Sequence, residues 1–269
     1  MKVLLVFAHP EPRSLNGALR DVAVSELQAL GHEVRVSDLY AQGWKSQVDR
    51  ADFPALPARS RLKVPGASKD AFVADGLTAD VAMEIEKLRW ADTLILQFPL
   101  WWFSMPAILK GWVDRVFAYG FAYGVGEHSD HRWGDRYGEG CLAGKKAMLM
   151  VTVGGWREHY SARGINGPME DLLFPIHHGI LFYPGYQVLP PFVVYQADRF
   201  GERTLRARRG DCGSGWAIWK PLRRWHTASR MPAITPSPSA NCGPDWRAPA
   251  TADSLCTCAM TENGNLIRV

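Results

Sequence analysis

The sequence predicts an α/β protein built on a doubly wound, largely parallel sheet with helices on both faces. Three observations carry that expectation. Short unbroken apolar runs, as expected of strands buried on both faces, recur from the N-terminus to about residue 195. Between them lie stretches with apolar residues three and four apart, the spacing of helices that bury one side. The two kinds of segment alternate, and alternation requires crossover connections and hence a parallel sheet.

Residues 2–8 (KVLLVFA) read as the first buried strand. A polar loop, residues 9–16 (HPEPRSLN), leads into a helix bearing Leu19, Val22, Ala23, Leu27 and Leu30, which Gly31 stops. Residues 33–37 (EVRVS) alternate and read as a second strand, completing a βαβ unit. Residues 51–75 are rich in Pro, Ala and single charges, and read as a long connection. A helix over 79–90 precedes a buried strand over 93–97 (TLILQ), and Pro106 opens another helix through Val116. Residues 146–152 (KAMLMVT) are a further strand, breaking into Gly154-Gly155. A helix around 169–180 and a strand around 192–195 complete the series.

Composition narrows the function classes. In 269 residues, 47% apolar and 22% charged, there is enough material for a full core. A net charge of +4 suits an anionic ligand and is too small and scattered for a nucleic-acid partner. The opening apolar run is too short for a signal-peptide core or a membrane span, so the expectation is a cytoplasmic protein without membrane insertion. No metal site is expected. Cys256 and Cys258 lack a metal-ligand spacing, and His177 and His178 have no visible carboxylate or cysteine partner.

In a doubly wound sheet, ligands bind at the carboxyl ends of the strands near the switch point. Three strands end in informative loops. In the first, Ser14 and Asn16 stand just before a helix, where they serve either as simple caps or as part of an anion site with the free N–H groups. The loop contains neither a Gly-x-Gly-x-x-Gly pattern nor a phosphate-binding lysine. In the second, Phe98-Pro99-Leu100-Trp101-Trp102-Phe103 puts several aromatic rings at a strand end. Either they pack on the following helix or they meet a flat ring or a second subunit. In the third, Thr152-Val153-Gly154-Gly155 allows close backbone approach to a ligand or is merely a turn, with Tyr160 and Asn166 following. A tyrosine hydroxyl there can donate a hydrogen bond to charge developing on a ring.

Segments AHPEPRSLN (8–16), QFPLWWFSMPAILKGWVDRVF (97–117), TVGGWREHYSARGINGPM (152–169) and PIHHGIL (175–181) together resemble the NAD(P)H:quinone oxidoreductase family, over roughly residues 1–200. The resemblance implies a flavodoxin-like form of the fold and FAD as cofactor, with FMN as the alternative. It implies two-electron, ping-pong hydride transfer from NAD(P)H through the flavin to a quinone or other small aromatic acceptor. On this basis His9, Ser14, Leu15, Asn16 and Ala18 would hold the pyrophosphate. Pro99, Leu100, Trp101, Trp102 and Phe103 would line the isoalloxazine, with Thr152, Val153, Gly154, Gly155 and Tyr160 along its other edge.

The catalytic positions implied are Tyr160, Asn166 and Gly154. Asn166 stands where the family's histidine is expected; an amide can donate a hydrogen bond but cannot take up a proton near neutral pH. Trp102, Phe103, Tyr123 and Tyr183 would contact the substrate. Val125 replaces a second expected tyrosine. Family members are homodimers with the site at the interface, so Tyr123 and Tyr183 would face the partner subunit's flavin. Two other readings remain: a flavoprotein regulatory subunit of a potassium-efflux system, and an FMN-dependent azo- or nitroreductase. The excursion over 51–75 and the chain beyond Tyr195 exceed what the regulatory subunits carry.

Residues 1–211 are thus expected to form the flavin-binding domain, and 212–269 an atypical tail. That tail holds four of the five cysteines and four of the eleven tryptophans, without periodicity. Every Cys and Trp codon begins with TG, and read one base earlier each encodes Leu, Val or Met. Cys212, Trp216, Trp219 and Trp225 would then become apolar, the first three at helical spacing. The tail is therefore expected to be disordered or translated out of frame.

Overall fold

A computed structural model describes residues 1–199 of the chain. The expectations for the tail lie outside the described residues. The strands are β1 (Lys2–Phe7), β2 (Glu33–Asp38), β3 (Thr93–Pro99), β4 (Lys146–Thr152), β5 (Gln187–Val188) and β6 (Phe192–Val194). All pair in parallel, in the order β2-β1-β3-β4-β5, with β6 also on β4. The α-helices are α1 (Leu15–Ala29), α2 (Val64–Val73), α3 (Ala79–Trp90), α4 (Ala107–Val116) and α5 (Met169–Phe174). This order places the switch point between β1 and β3, as in a flavodoxin-like sheet.

Strand alternation divides the core in two. Val3, Leu5, Phe7, Ile95, Met148 and Met150 face Leu19, Ala23 and Leu27 of α1. Leu4, Val6, Leu94, Leu96, Leu149 and Val151 face Val81, Ile85 and Leu88 of α3 and Leu109, Trp112 and Val116 of α4. Both faces are covered, which is why β1, β3 and β4 read as continuous apolar runs. A buried carboxylate, Glu84, sits between α3 and α4. It accepts hydrogen bonds from the Ser37 hydroxyl (2.8 Å) and the Trp112 indole N–H (2.9 Å), with Lys87 paired beside it.

Three differences from the sequence reading have local causes. The connection over 51–75 contains α2, whose buried positions are the small Ala67, Ser68 and Ala71 and so give little hydrophobic signal. Its Ser68 hydroxyl accepts from the Tyr119 N–H (3.1 Å), and Phe72 meets Phe121. The helix expected around 169–180 is α-helical only to Phe174 and continues as a π-helix, Pro175–Phe182. Pro175 has no N–H with which to sustain the α ladder. Finally, Pro190 and Pro191 divide the last strand, giving a short β5 ahead of β6.

The base of the excursion is tied down by Arg115 of α4. Its guanidinium is bonded to Asp52 at 2.9 Å and to Asp80 at 2.7 Å, and lies 4.6 Å from the Trp44 ring centroid. No helix of the described residues is long and apolar enough to cross a membrane.

Candidate active site

The three loops converge because β1, β3 and β4 are adjacent and parallel, so their carboxyl ends share one edge. In the first loop Ser14 is the N-cap of α1, and its hydroxyl oxygen accepts from the Gly17 N–H at 3.2 Å. The same hydroxyl lies 3.0 Å from Nδ1 of His9, which also accepts from the Glu11 N–H at 3.1 Å. His9 is thus held through its Nδ1. Ala18 N–H bonds back to the Ser14 carbonyl, and Leu15 packs on the core beneath. The N–H groups of Leu15 and Asn16 have no carbonyl a turn earlier within the helix and remain for an anion.

Asn16 departs from its expected place in the loop: it is inside α1 and buried. Its amide Nδ2 donates to the Thr152 hydroxyl at 2.9 Å, across to the end of β4. Its carbonyl accepts from Nε2 of Gln97 on β3 at 2.7 Å. The sequence reading missed Gln97, although one polar residue inside TLILQFP was a visible signal. It also missed Gly17. A Cβ there would lie 1.8 Å from the Pro12 carbonyl oxygen, so the loop folds onto the helix more closely than any side chain allows.

In the second loop the tryptophans do not pack away on α4. Trp101 is 44% exposed, Trp102 95% and Phe103 47%. Trp102 and Phe103 also hold φ of 49° and 61°, a left-handed conformation that is strained for bulky residues. Trp101 is bridged to Ser104 and lies 6.1 Å from the His9 ring. Pro99 is buried within β3. The Leu100 N–H bonds to the Thr152 carbonyl at 2.8 Å, joining this loop to the third.

In the third loop Thr152 and Val153 are buried, and only the Gly154-Gly155 backbone is offered outward. A Cβ on Gly155 would lie 2.8 Å from the Tyr160 ring, and one on Gly154 would lie 2.5 Å from the Asp198 carboxylate. The half-buried Tyr160 is thereby laid along the loop. Asn166 is brought beside it by a 2.9 Å hydrogen bond from its N–H to the His159 carbonyl.

Tyr123 and Tyr183 belong to a separate aromatic group. Tyr123 meets Tyr119 at 5.0 Å, and Tyr183 meets Tyr137 at 5.1 Å. Burial, with Tyr119 and Tyr183 nearby, pushes the Tyr123 hydroxyl above its ordinary pKa, so it stays a neutral donor. Among the described residues no ring contact joins either tyrosine to the three loops. His178 is stacked between Phe174 and Tyr137, and His177 is mostly buried.

Taken together, the site offers free helix N–H groups at one end, exposed aromatic rings in the middle and a side-chain-free edge with a phenol beyond it. Residues 1–211 match the profile of the family described as a flavodoxin-like fold, and the chain belongs to that family. Its relatives include quinone reductases. It is 66% identical over 212 residues to a ribosyldihydronicotinamide dehydrogenase-like protein, traD, of Penicillium crustosum, covering 77% of this chain and 79% of that one. It is 42% identical over 236 residues to the human ribosyldihydronicotinamide dehydrogenase [quinone], covering 84% and 97%. A crystal structure of a quinone-reductase candidate from Klebsiella pneumoniae matches with a TM-score of 0.77 and 58% identity, over 84% of this chain and 85% of that one.

Proposed function

We propose that the protein is an FAD-dependent NAD(P)H:quinone oxidoreductase that works as a homodimer in the cytoplasm. The observation that carries this reading is the strained, exposed Trp102–Phe103 loop at the switch point. Apolar area left in water forgoes about 25 cal/mol per Å², so rings held out in a strained conformation need something flat to cover them. The surroundings fit a flavin: the Leu15 and Asn16 N–H groups suit its phosphate, and the glycines at 154 and 155 let Asp198 and Tyr160 close onto the loop beside the backbone it offers to a ring edge.

When bound, the flavin supplies hydride acceptance and donation, which no side chain can. The chain binds, orients and polarises. His9 and Ser14 hold the phosphate loop in shape, Trp101, Trp102 and Phe103 would cover the flavin ring, and Tyr160 would supply a hydrogen-bond donor for negative charge on its edge. Asn166 adds a second donor without taking up a proton near pH 7. The dimer is supported by exposed apolar side chains, Trp156, Ile165 and Phe174, in addition to the loop aromatics. Tyr123 and Tyr183 would then line the slot from the partner side.

The test is an absorption spectrum followed by anaerobic titration with NADH, NADPH and ribosyldihydronicotinamide, the donor named in two of the relatives. A bound flavin that bleaches with a donor and recovers with a quinone supports the reading, and chromatography of the released flavin separates FAD from FMN. A protein that takes up neither flavin refutes it. In the active protein, Tyr160→Phe is expected to slow the reductive half-reaction by about tenfold to a hundredfold.

A further inference from the structure

We propose that Asn16, Gln97 and Thr152 form a positioning clamp that fixes the phosphate end of the site against its ring end. The proposal rests on the reading of the three loops as a flavin site. On the sheet face under α1, the apolar Ile95 of β3 and Met148 and Met150 of β4 are followed toward the carboxyl ends by the buried polar residues Gln97 and Thr152. Both reach one residue of α1. Gln97 Nε2 donates to the Asn16 carbonyl at 2.7 Å, and the Thr152 hydroxyl pairs with the Asn16 amide at 2.9 Å. All three residues are buried, with Gln97 at 0% exposure.

Stability alone does not account for this arrangement. The Gln97 Oε1 atom is buried with no hydrogen-bond partner. An unmet buried acceptor costs more than an ordinary hydrogen bond returns, and an apolar pair of the same shape would do as well or better. What the three residues do achieve is spatial. Asn16 carries one of the helix N–H groups left for an anion. Thr152 stands directly before Val153-Gly154-Gly155, and its carbonyl also holds the Leu100 N–H of the aromatic loop. One buried cluster therefore sets the separation of all three loops. A ligand long enough to use both ends gains from that fixed separation, because the order is already present before it binds. A ligand using one end gains nothing.

The clamp also assigns Asn16 and Thr152 a different task from the one the family resemblance implies. Their side chains bond each other, so those side chains position the loops and do not themselves bind the cofactor, and Asn16 offers it only a backbone N–H.

The test measures dissociation constants of FAD, FMN and riboflavin, which lacks the phosphate, for the full chain and for Thr152→Val, Thr152→Ser and Gln97→Met. Thr152→Val is expected to weaken FAD and FMN about tenfold and riboflavin by less than twofold, with Thr152→Ser restoring both phosphorylated ligands. Gln97→Met should show the same ligand pattern, while its flavin-free form unfolds at the same or a higher temperature. Equal loss for all three ligands, or no loss for any, overturns the clamp while leaving the flavin site in place. A wild-type chain that binds no flavin overturns both. Should Thr152→Val fail to fold, the Gln97→Met ratio of FMN to riboflavin affinity decides alone: an unchanged ratio refutes the clamp.

Discussion

Replacing Gly17 with alanine perturbs the phosphate end of the site by a single methyl group. The added Cβ would sit 1.8 Å from the Pro12 carbonyl oxygen and 2.7 Å from the carbonyl carbon, both backbone atoms with no rotamer to turn away. A carbon and a carbonyl oxygen approach to about 3.3 Å at closest in ordinary contacts, so the loop must retreat from the helix by about 1.5 Å. Two effects oppose each other. Alanine favours the helix over glycine by up to about 1 kcal/mol, while forcing extra volume into a closed contact costs about 1–3 kcal/mol. The clash prevails, and the expected net destabilisation is about 1–2 kcal/mol. The effect on the ligand is larger, because the retreat carries Ser14 and His9 away from the helix N–H groups. A misplacement of about 1 Å can cost a hundredfold in a preorganised site. Urea unfolding of the flavin-free protein and flavin titration of Gly17→Ala measure the two consequences separately. An unchanged unfolding midpoint together with wild-type flavin affinity would refute the close approach of the loop.

Three further outcomes follow from the same structure. Arg115→Met leaves the buried Asp52 with Lys45 as its remaining cation, beside the Asp49 N–H, and should destabilise the protein by about 3 kcal/mol; adding Asp52→Leu should recover part of that loss in denaturant unfolding, and no recovery would contradict the pairing. Burial pushes the His177 imidazole down to about 4, with Glu170 opposing weakly. The folded ring is therefore neutral while the unfolded chain takes up a proton near pH 6.5. Stability is full above about 6.5 and is lost as pH falls toward about 4, by at most about 3 kcal/mol, and unfolding curves of His177→Phe should lack that part of the decline. Trp102→Gly relieves a left-handed conformation costing about 1–2 kcal/mol and forgoes about 0.5–1 kcal/mol of chain entropy. The flavin-free variant should melt slightly higher than wild type yet bind flavin more weakly, and a clear drop in melting temperature would show that the strain is not real.

Much of this architecture is legible in the residues. The runs at 2–8, 93–97 and 146–152 announce buried strands because both faces of the sheet are covered, and the Leu19–Leu27 spacing announces α1. The helix over 79–90 is found with its bounds intact. What escapes is structure that leaves no pattern. Helix α2 buries alanines and a serine, and the π-helix differs from its α continuation by hydrogen-bond spacing that no side chain reports. At the site, the three loops are visible as departures from the surrounding pattern: capping residues, clustered tryptophans and paired glycines. The inward commitment of Asn16 is invisible, because its partners Gln97 and Thr152 lie 81 and 136 residues away in the chain. The exposure of Trp102 likewise depends on a backbone twist that composition does not encode.

The Arg115 knot bears on the order in which the molecule assembles. Asp52 and Asp80 flank a wandering stretch, but the cation that gathers them lies a full strand and helix further along the chain. The ends of that stretch cannot be held until β3 has entered the sheet and α4 has docked, and closing so long a loop beforehand has little to offset its entropy. The excursion should therefore acquire its native form after the β1-β3 pairing, and pulse-labelled amides of α2 should gain protection later than those of β1. An early-protected α2 would mean that the helix is held by contacts other than the arginine. The same delay makes the tip of the excursion a place where length can change over evolutionary time at little cost to the nucleus, while Asp52, Asp80 and Arg115 must change together or not at all.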